Sequence, residues 1–235
     1  MAALLPELPQ VEQYVIELTN KVRREQNLST LKVDAALARA ARAYAQYLAR
    51  SEKFSHTADG SDAGSRAEKA GYKYCSIAEN LSMNQSSAGF AARDLASRMM
   101  TGWINSPGHR ANILMKHATE IGVGVAKSAD KAPKFISVQL FGRPSSTSYE
   151  FQVVNVSEVA VNYTFGGETL DLPPRMSATH SACLPSELVF SKPGGLLSAA
   201  KELSRMRAED GKLYTVKAND RGTLAVDTSA RKKVQ

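Results

Sequence analysis

Gly102–Leu114 reads GWINSPGHRANIL, and its reading decides the fold. A Trp, an Asn-Ser-Pro-Gly turn and a His-Arg pair stand between two stretches with helical spacing. Upstream, Ala92, Leu95, Met99 and Trp103 recur every three or four residues, the period of an amphipathic helix. Ser86 or Ser87 is the expected cap at its start. Pro107 and Gly108 stop it, because Pro removes a ladder hydrogen bond. His109–Leu114 leaves room for one further turn. A histidine at such a break is either a working group or one polar residue of an ordinary turn.

Working outward, Val11, Val15, Leu18 and Val22 predict a helix over 11–26. Asp34 is placed to cap a second, Ala-rich helix with Leu37, Ala41, Tyr44 and Leu48 on one stripe. Its small residues let a helix approach its neighbours closely. FSHTADGSDAGS, 54–65, has turn formers and no period, so it reads as a loop. A short helix is expected over 66–70, stopped by Gly71. IGVGVA and KFISVQLFG read as strands joined by the turn SADKAP. Helices interleaved with strands point to a layered domain.

RPSSTS, 143–148, has linker composition. Beyond it the period becomes two. Phe151, Val153 and Val156, then Val159, Val161, Tyr163 and Phe165, alternate as half-buried strands do, with a hairpin turn expected at Asn155–Glu158. Further strands are expected at 178–183, 187–191, 213–218 and 223–227, with a helix over 196–207. The organisation is therefore a front domain over 1–143 and a small β-sandwich-like domain over 149–235.

The 235 residues suit one large or two small domains. Net charge is +7, and residues 1–145 hold most of it, with 19 Lys and Arg against 13 Asp and Glu. That excess favours loose contact with anionic lipid or acidic envelope polymer. No basic run is dense enough for specific nucleic-acid recognition. No stretch approaches the roughly 20 apolar residues of a transmembrane helix. MAALLPELPQ lacks a charged n-region and a long apolar h-region, so it is not an intact signal peptide. Cys75 and Cys183 are too few for a disulfide framework or a zinc cage. Two half-buried free thiols are the simpler reading, and a bridge between the halves is the alternative for an exported chain.

Three patches combine titratable residues with turns: FSHT at 54–57, IAENLS at 77–82 and SPGHRANIL at 106–114. If the fold unites them, they bring together His56, Glu79 and His109, with Asn80, Ser106 and Arg110 beside them. Two imidazoles and a carboxylate suit a divalent ion such as zinc with one position left open. Such an ion lowers the pKa of bound water and supports hydrolysis. The same groups can instead hydrogen-bond across a groove and hold its walls. Arg110 either binds an anion or pairs with a helix carboxylate. Ser55 and Ser106 near histidines make no triad without a third, orienting group. Cys75 reads as packing rather than as a nucleophile, Trp103 as core, and His117 and His180 as satisfied or surface residues. HExxH, GxSxG, P-loop and GxGxxG patterns are absent.

Taken in order, the helix pair ending in ARAYAQYLA, then FSH, AEN, WINSPGHRANIL, EIGVGVA and QLFG, resemble the CAP superfamily of cysteine-rich secretory proteins, antigen 5 and pathogenesis-related 1, also called SCP domains. The likeness runs from about Val11 to Gly142, and the SPGHR form is similar to the bacterial branch. It implies an α+β fold, a three-layer α-β-α sandwich with a broad groove lined by two His and two Glu, here followed by a small, mainly β domain. His56, Glu79 and His109 match three of those four. Ser106 stands where the second Glu would follow Trp103, so that acid is missing, and Glu120 belongs to another motif. The resemblance implies a secreted, periplasmic or envelope protein whose leader has been removed. It implies a groove that binds a lipid or sterol, a peptide or a glycan, with the β domain supplying an envelope or protein contact. A metal-assisted hydrolase using the same residues is the alternative, and a non-enzymatic role is the favoured reading.

Overall fold

A computed structural model describes residues 4–51, 53–194 and 199–231. The chain divides into two compact units, 1–146 and 147–235.

The first unit runs α1 (Leu8–Glu25), β1 (Lys32–Val33), α2 (Ala35–Ser51), α3 (Ala63–Lys69), β2 (Tyr74–Gln85), α4 (Ala92–Ile104), α5 (Pro107–Ile113), β3 (Glu120–Lys127) and β4 (Lys134–Pro144). Its four strands lie in the order β1-β3-β4-β2. β3 and β2 both run antiparallel to β4, and β1 adds parallel to β3. Alternation along the strands sends side chains to two cores. Val123, Val125, Phe135 and Phe141 pack with α1 and α4, around Val11, Val15, Leu95, Met99 and Trp103. Leu81, Ile136, Val138 and Leu140 pack with α2, around Leu37, Ala41, Tyr44 and Leu48. The result is helix, sheet, helix in three layers.

Local chemistry explains the elements. The Asp34 carboxylate accepts from the Ala36 and Leu37 amides, capping α2. Gly122 and Gly124 of β3 let α2 lie directly on the sheet. A Cβ at Gly122 would stand 2.2 Å from the Leu37 carbonyl carbon, and one at Gly124 2.2 Å from the Arg42 nitrogen. α3 begins three residues before the expected helix, because Asp62 caps it by accepting from the Ser65 amide. Neither Ser86 nor Ser87 caps α4. Its N-cap is Ala91, without a side-chain bond. The preceding segment is held by Leu4, whose amide donates to Ala88 and whose carbonyl accepts from Phe90. Pro107 ends α4 and opens α5 at its first position, where a missing amide costs nothing.

The second unit holds β5 (Tyr149–Asn155), β6 (Val161–Phe165), β7 (Glu168–Leu172), β8 (Ser177–Ala182), β9 (Glu187–Lys192), β10 (Lys201–Arg207), β11 (Lys212–Ala218) and β12 (Leu224–Ala230). They form two four-stranded sheets, β10-β9-β6-β7 and β12-β11-β5-β8. Both contribute to one core, with Phe151, Val153, Tyr214 and Val216 from one sheet and Val161, Tyr163, Leu188 and Phe190 from the other.

Two expectations are corrected in this unit. Asn155–Glu158 is no hairpin turn, since β5 and β6 lie in different sheets. It is a crossover in which the Asn155 amide group donates to the carbonyls of Val159, Leu172 and Pro173. The hairpin falls one strand later, at Gly166-Gly167, where φ values of 61° and 89° make the two-residue turn that a right-twisted ribbon favours. The helix expected over 196–207 is strand over Lys201–Arg207, and 196–198 lie outside the described residues. Leu203 and Met206 are three apart because the register shifts between Glu202 and Ser204. That bulge gives a strand an apparently helical spacing.

Candidate functional site

β2 is an edge strand, and α4 and α5 border its open edge. The Trp103 indole donates to the Leu81 carbonyl at 2.8 Å, and the Asn112 amide donates to the Glu79 carbonyl at 3.2 Å. These bonds satisfy strand groups that would otherwise be unpaired. Glu79 and Asn80, adjacent on the strand, then point to opposite faces of the sheet.

On the α2 and α3 face, the Glu79 side chain is 3% exposed. Its Oε1 accepts from the His56 Nδ1 at 2.8 Å, and its Oε2 accepts from the Arg66 guanidinium at 2.8 Å. Arg66 is 9% exposed and also donates to the Asp59 carboxylate and to the Ser61 and His56 carbonyls. Its guanidinium lies 3.5 Å over the Tyr44 ring. A buried carboxylate is tolerable only when paired and hydrogen-bonded, and Arg66 meets that demand. The loop carrying His56 is clasped from α2. The Tyr44 hydroxyl donates to the Ser55 carbonyl and accepts from the Ala58 amide, and the Tyr47 hydroxyl donates to the Ala58 carbonyl.

On the other face, the Asn80 amide donates to the His109 carbonyl and to Gln139, both at 3.1 Å. Asn112 donates to the Asn80 oxygen at 2.9 Å, and Gln139 donates to Thr19 of α1 at 2.7 Å. Arg23 of α1, fully buried, donates to the Ile113 and Met115 carbonyls at the end of α5. Buried amides and a buried guanidinium thus fix the helix that bears His109.

His56 and His109 lie within electrostatic reach of each other. The His56 side chain is 56% exposed over the buried Glu79. Because the carboxylate can only accept, the neutral ring carries its proton on Nδ1 and presents Nε2 as acceptor. Burial lowers the His109 pKa from its ordinary value, and His56 is close enough for its charge to lower it further. Ser106 and His109 are half-buried, and Arg110 is exposed. Glu120 stands apart, accepting from the Tyr72 hydroxyl at 2.5 Å.

The zinc expectation finds no ligand set. Both Glu79 oxygens are engaged, one of them by a cation. Among the described residues no three His, Cys, Asp or Glu side chains are grouped to hold a metal ion. A guanidinium next to the carboxylate also opposes a second positive charge there. Neither cysteine is a free thiol, since both are disulfide-bonded. This corrects the free-thiol reading and removes Cys75 as a nucleophile, because only a thiolate attacks. Arg66 is the residue that sequence reasoning missed. Nothing in AGSRAEKA marks it, and the only available signal was that a carboxylate inside a strand needs a cation on the element facing it.

Residues 16–141 match the model of the cysteine-rich secretory protein family, CAP. An uncharacterized Bacillus subtilis protein, YkwD, is 33% identical over 118 residues, which are 50% of this chain and 43% of that one. The chain therefore spans less than half the length of that relative. An outer surface protein of Borrelia burgdorferi superposes with a TM-score of 0.50 at 23% identity, over 58% of this chain and 94% of that one. An extracellular SCP-domain protein of Bacillus anthracis superposes with a TM-score of 0.47 at 28% identity, over 58% and 41% of the two chains. Among the described residues no helix is long and apolar enough to cross a membrane.

Proposed function

This chain belongs to the CAP superfamily, in its bacterial branch, and from that premise we propose that it is an exported or envelope-associated binding protein. Its ligand sits over the edge of β2, against His56, His109, Ser106 and Arg110. The observation that carries this reading is Glu79. A carboxylate 3% exposed is held by Arg66 on one side and on the other presents an imidazole to solvent. Pairing Glu79 needs only Arg66, so aligning an exposed His56 serves recognition from outside. The frame gives His56 an acceptor nitrogen, His109 a neutral ring at physiological pH, and Arg110 a cation. Together they suit a ligand with hydroxyl or amide donors and a nearby anionic group. A lipid or sterol, a peptide and a glycan remain the ligand classes. The second unit supplies a contact with the envelope or with a protein partner.

The test is a calorimetric panel of envelope lipids, sterols, peptides and glycan fragments, run beside a hydrolysis panel with and without zinc. Saturable binding that His56→Gln and Arg110→Ala weaken, with no zinc-dependent turnover, supports the proposal. Zinc-dependent turnover abolished by His109→Ala would overturn it in favour of a hydrolase.

A further inference from the structure

A trough between α2 and α3 is a second cavity, and it differs in kind from the His56 cluster. Its volume is about 300 Å³, at the lower end of the range of small-molecule sites. Among the described residues, none of His56, Glu79 or His109 lines it. Ala40, Ala43 and Ala70 line it with side chains too small to fill it. Tyr44 and Tyr47, one turn apart on α2, line it with parallel rings, 8° between planes and 6.2 Å between centroids. Their hydroxyls are committed to the backbone of Ser55 and Ala58, so ring is what they offer a ligand.

The far end of the trough is cationic. Arg39 is exposed and donates to the Ala70 carbonyl at 2.9 Å, a neutral partner that fixes its direction and leaves its charge. Lys69, also exposed, precedes that carbonyl in sequence. Asp59 is the one acid on the lining among the described residues, and it already accepts from Arg66 and from the Ser61 amide. Arg66 lines the trough as well. Its terminal nitrogens serve Asp59, Ser61, His56 and Glu79, but its buried Nε has no hydrogen-bond partner. A buried donor left over in a cavity wall calls for an acceptor from outside the chain.

Charge and surface together select the occupant. Cations at one end ask for an anion. Parallel rings and alanine methyls ask for a flat apolar body, which stacks on Tyr by an offset of its own ring. A sugar acid fits less well, because its hydroxyls would leave water for alanine and ring surface without new partners. From Arg39 to Tyr47 the helix rises about 12 Å, room for one ring and a short acid chain.

We infer that this trough binds a small aryl carboxylate, its ring against Tyr47 and Ala43 and its carboxylate among Arg39, Lys69 and Arg66. The inference stands on the trough's own lining and does not rest on the reading of the His56 cluster.

The experiment is calorimetric titration of 3-phenylpropanoate into the full chain, with 3-phenylpropanol, 3-cyclohexylpropanoate and galacturonate as comparison probes. One saturable site for 3-phenylpropanoate is expected, with ring-current shifts of the Ala40 and Ala43 methyl NMR signals. The alcohol and the sugar acid should each bind at least tenfold more weakly, and the cyclohexyl acid about threefold more weakly for want of a π face. Arg39→Glu with Lys69→Glu should weaken binding at least tenfold. So should Ala43→Leu, which fills the trough from an exposed helical position where Leu is well tolerated. Lys21→Glu, the same kind of charge change on α1 in the opposite layer, should leave it within twofold. Raising the salt from about 50 to about 500 mM should weaken the unaltered protein severalfold, a readout that needs no variant. No saturable binding, any comparison probe binding as tightly, indifference to Ala43→Leu, or an equal loss in Lys21→Glu would each overturn the inference.

Discussion

Replacing Arg66 with Met should damage the first unit more than any change of similar size on its surface. The substitution removes the guanidinium bonds to Glu79, Asp59, and the Ser61 and His56 carbonyls, and the stack over Tyr44. It leaves the Glu79 carboxylate buried with only His56 beside it. Breaking a buried ion pair from one side costs roughly 3–5 kcal/mol. For a unit of this size that is a fall in Tm of roughly 6–20 °C. Trp103 is the chain's only Trp and is 1% exposed within the same unit, so its fluorescence follows that unit's unfolding in urea. Glu79→Gln removes the stranded charge. The double variant should therefore be less destabilised than the two single losses summed, with an interaction energy above about 1 kcal/mol. A loss below about 1 kcal/mol in Arg66→Met, or strict additivity of the pair, would refute the claim that Arg66 makes the buried carboxylate tolerable.

Other consequences are as direct. Gly122→Ala and Gly124→Ala force a methyl into the backbone of α2, so each should cost roughly 1–3 kcal/mol in the same urea assay. Asn80→Ala strands Gln139 and Asn112 and should cost roughly 1–3 kcal/mol, with shifts in the NMR signals of α5. In the second unit, His180 lies against Phe151, Tyr163 and Phe165 with its Nε2 2.8 Å from the Tyr163 hydroxyl. Burial lowers its pKa from the ordinary 6.5, so the unfolded chain takes up the proton first as pH falls. That unit's stability should be full above pH 6.5 and should drop as pH falls from there through the lowered value. His180→Gln should flatten the drop, as read by NMR-monitored urea titrations at about pH 7.5, 6 and 5.

Periodicity exposed α1, α2 and α4 because each buries one stripe, and richness in β-branched and aromatic residues exposed β3 and β4. It failed at β10, where a bulge sets Leu203 and Met206 at helical spacing. It also failed at Asn155–Glu158, where alternation shows two strands without showing which sheet each joins. Gly122 and Gly124 read as ordinary strand glycines, since their purpose is contact with a helix roughly eighty residues earlier. His56, Glu79 and His109 were legible through motifs in sequence order. The groups that hold them were not. Arg66, Arg23, Gln139 and Thr19 matter through long-range bonds that leave no local pattern, and a buried Arg in a helix looks like an exposed one.

The site exists only if the His56 imidazole, from a loop, and the His109 imidazole, from α5, face each other over one buried carboxylate. Long-range ¹H–¹⁵N NMR of the histidine rings across a pH titration tests this most directly. The predicted result is a His56 ring protonated at Nδ1 when neutral, and a His109 pKa below the ordinary value that rises in His56→Gln. A His56 ring protonated at Nε2, or a His109 titration indifferent to His56, would contradict it.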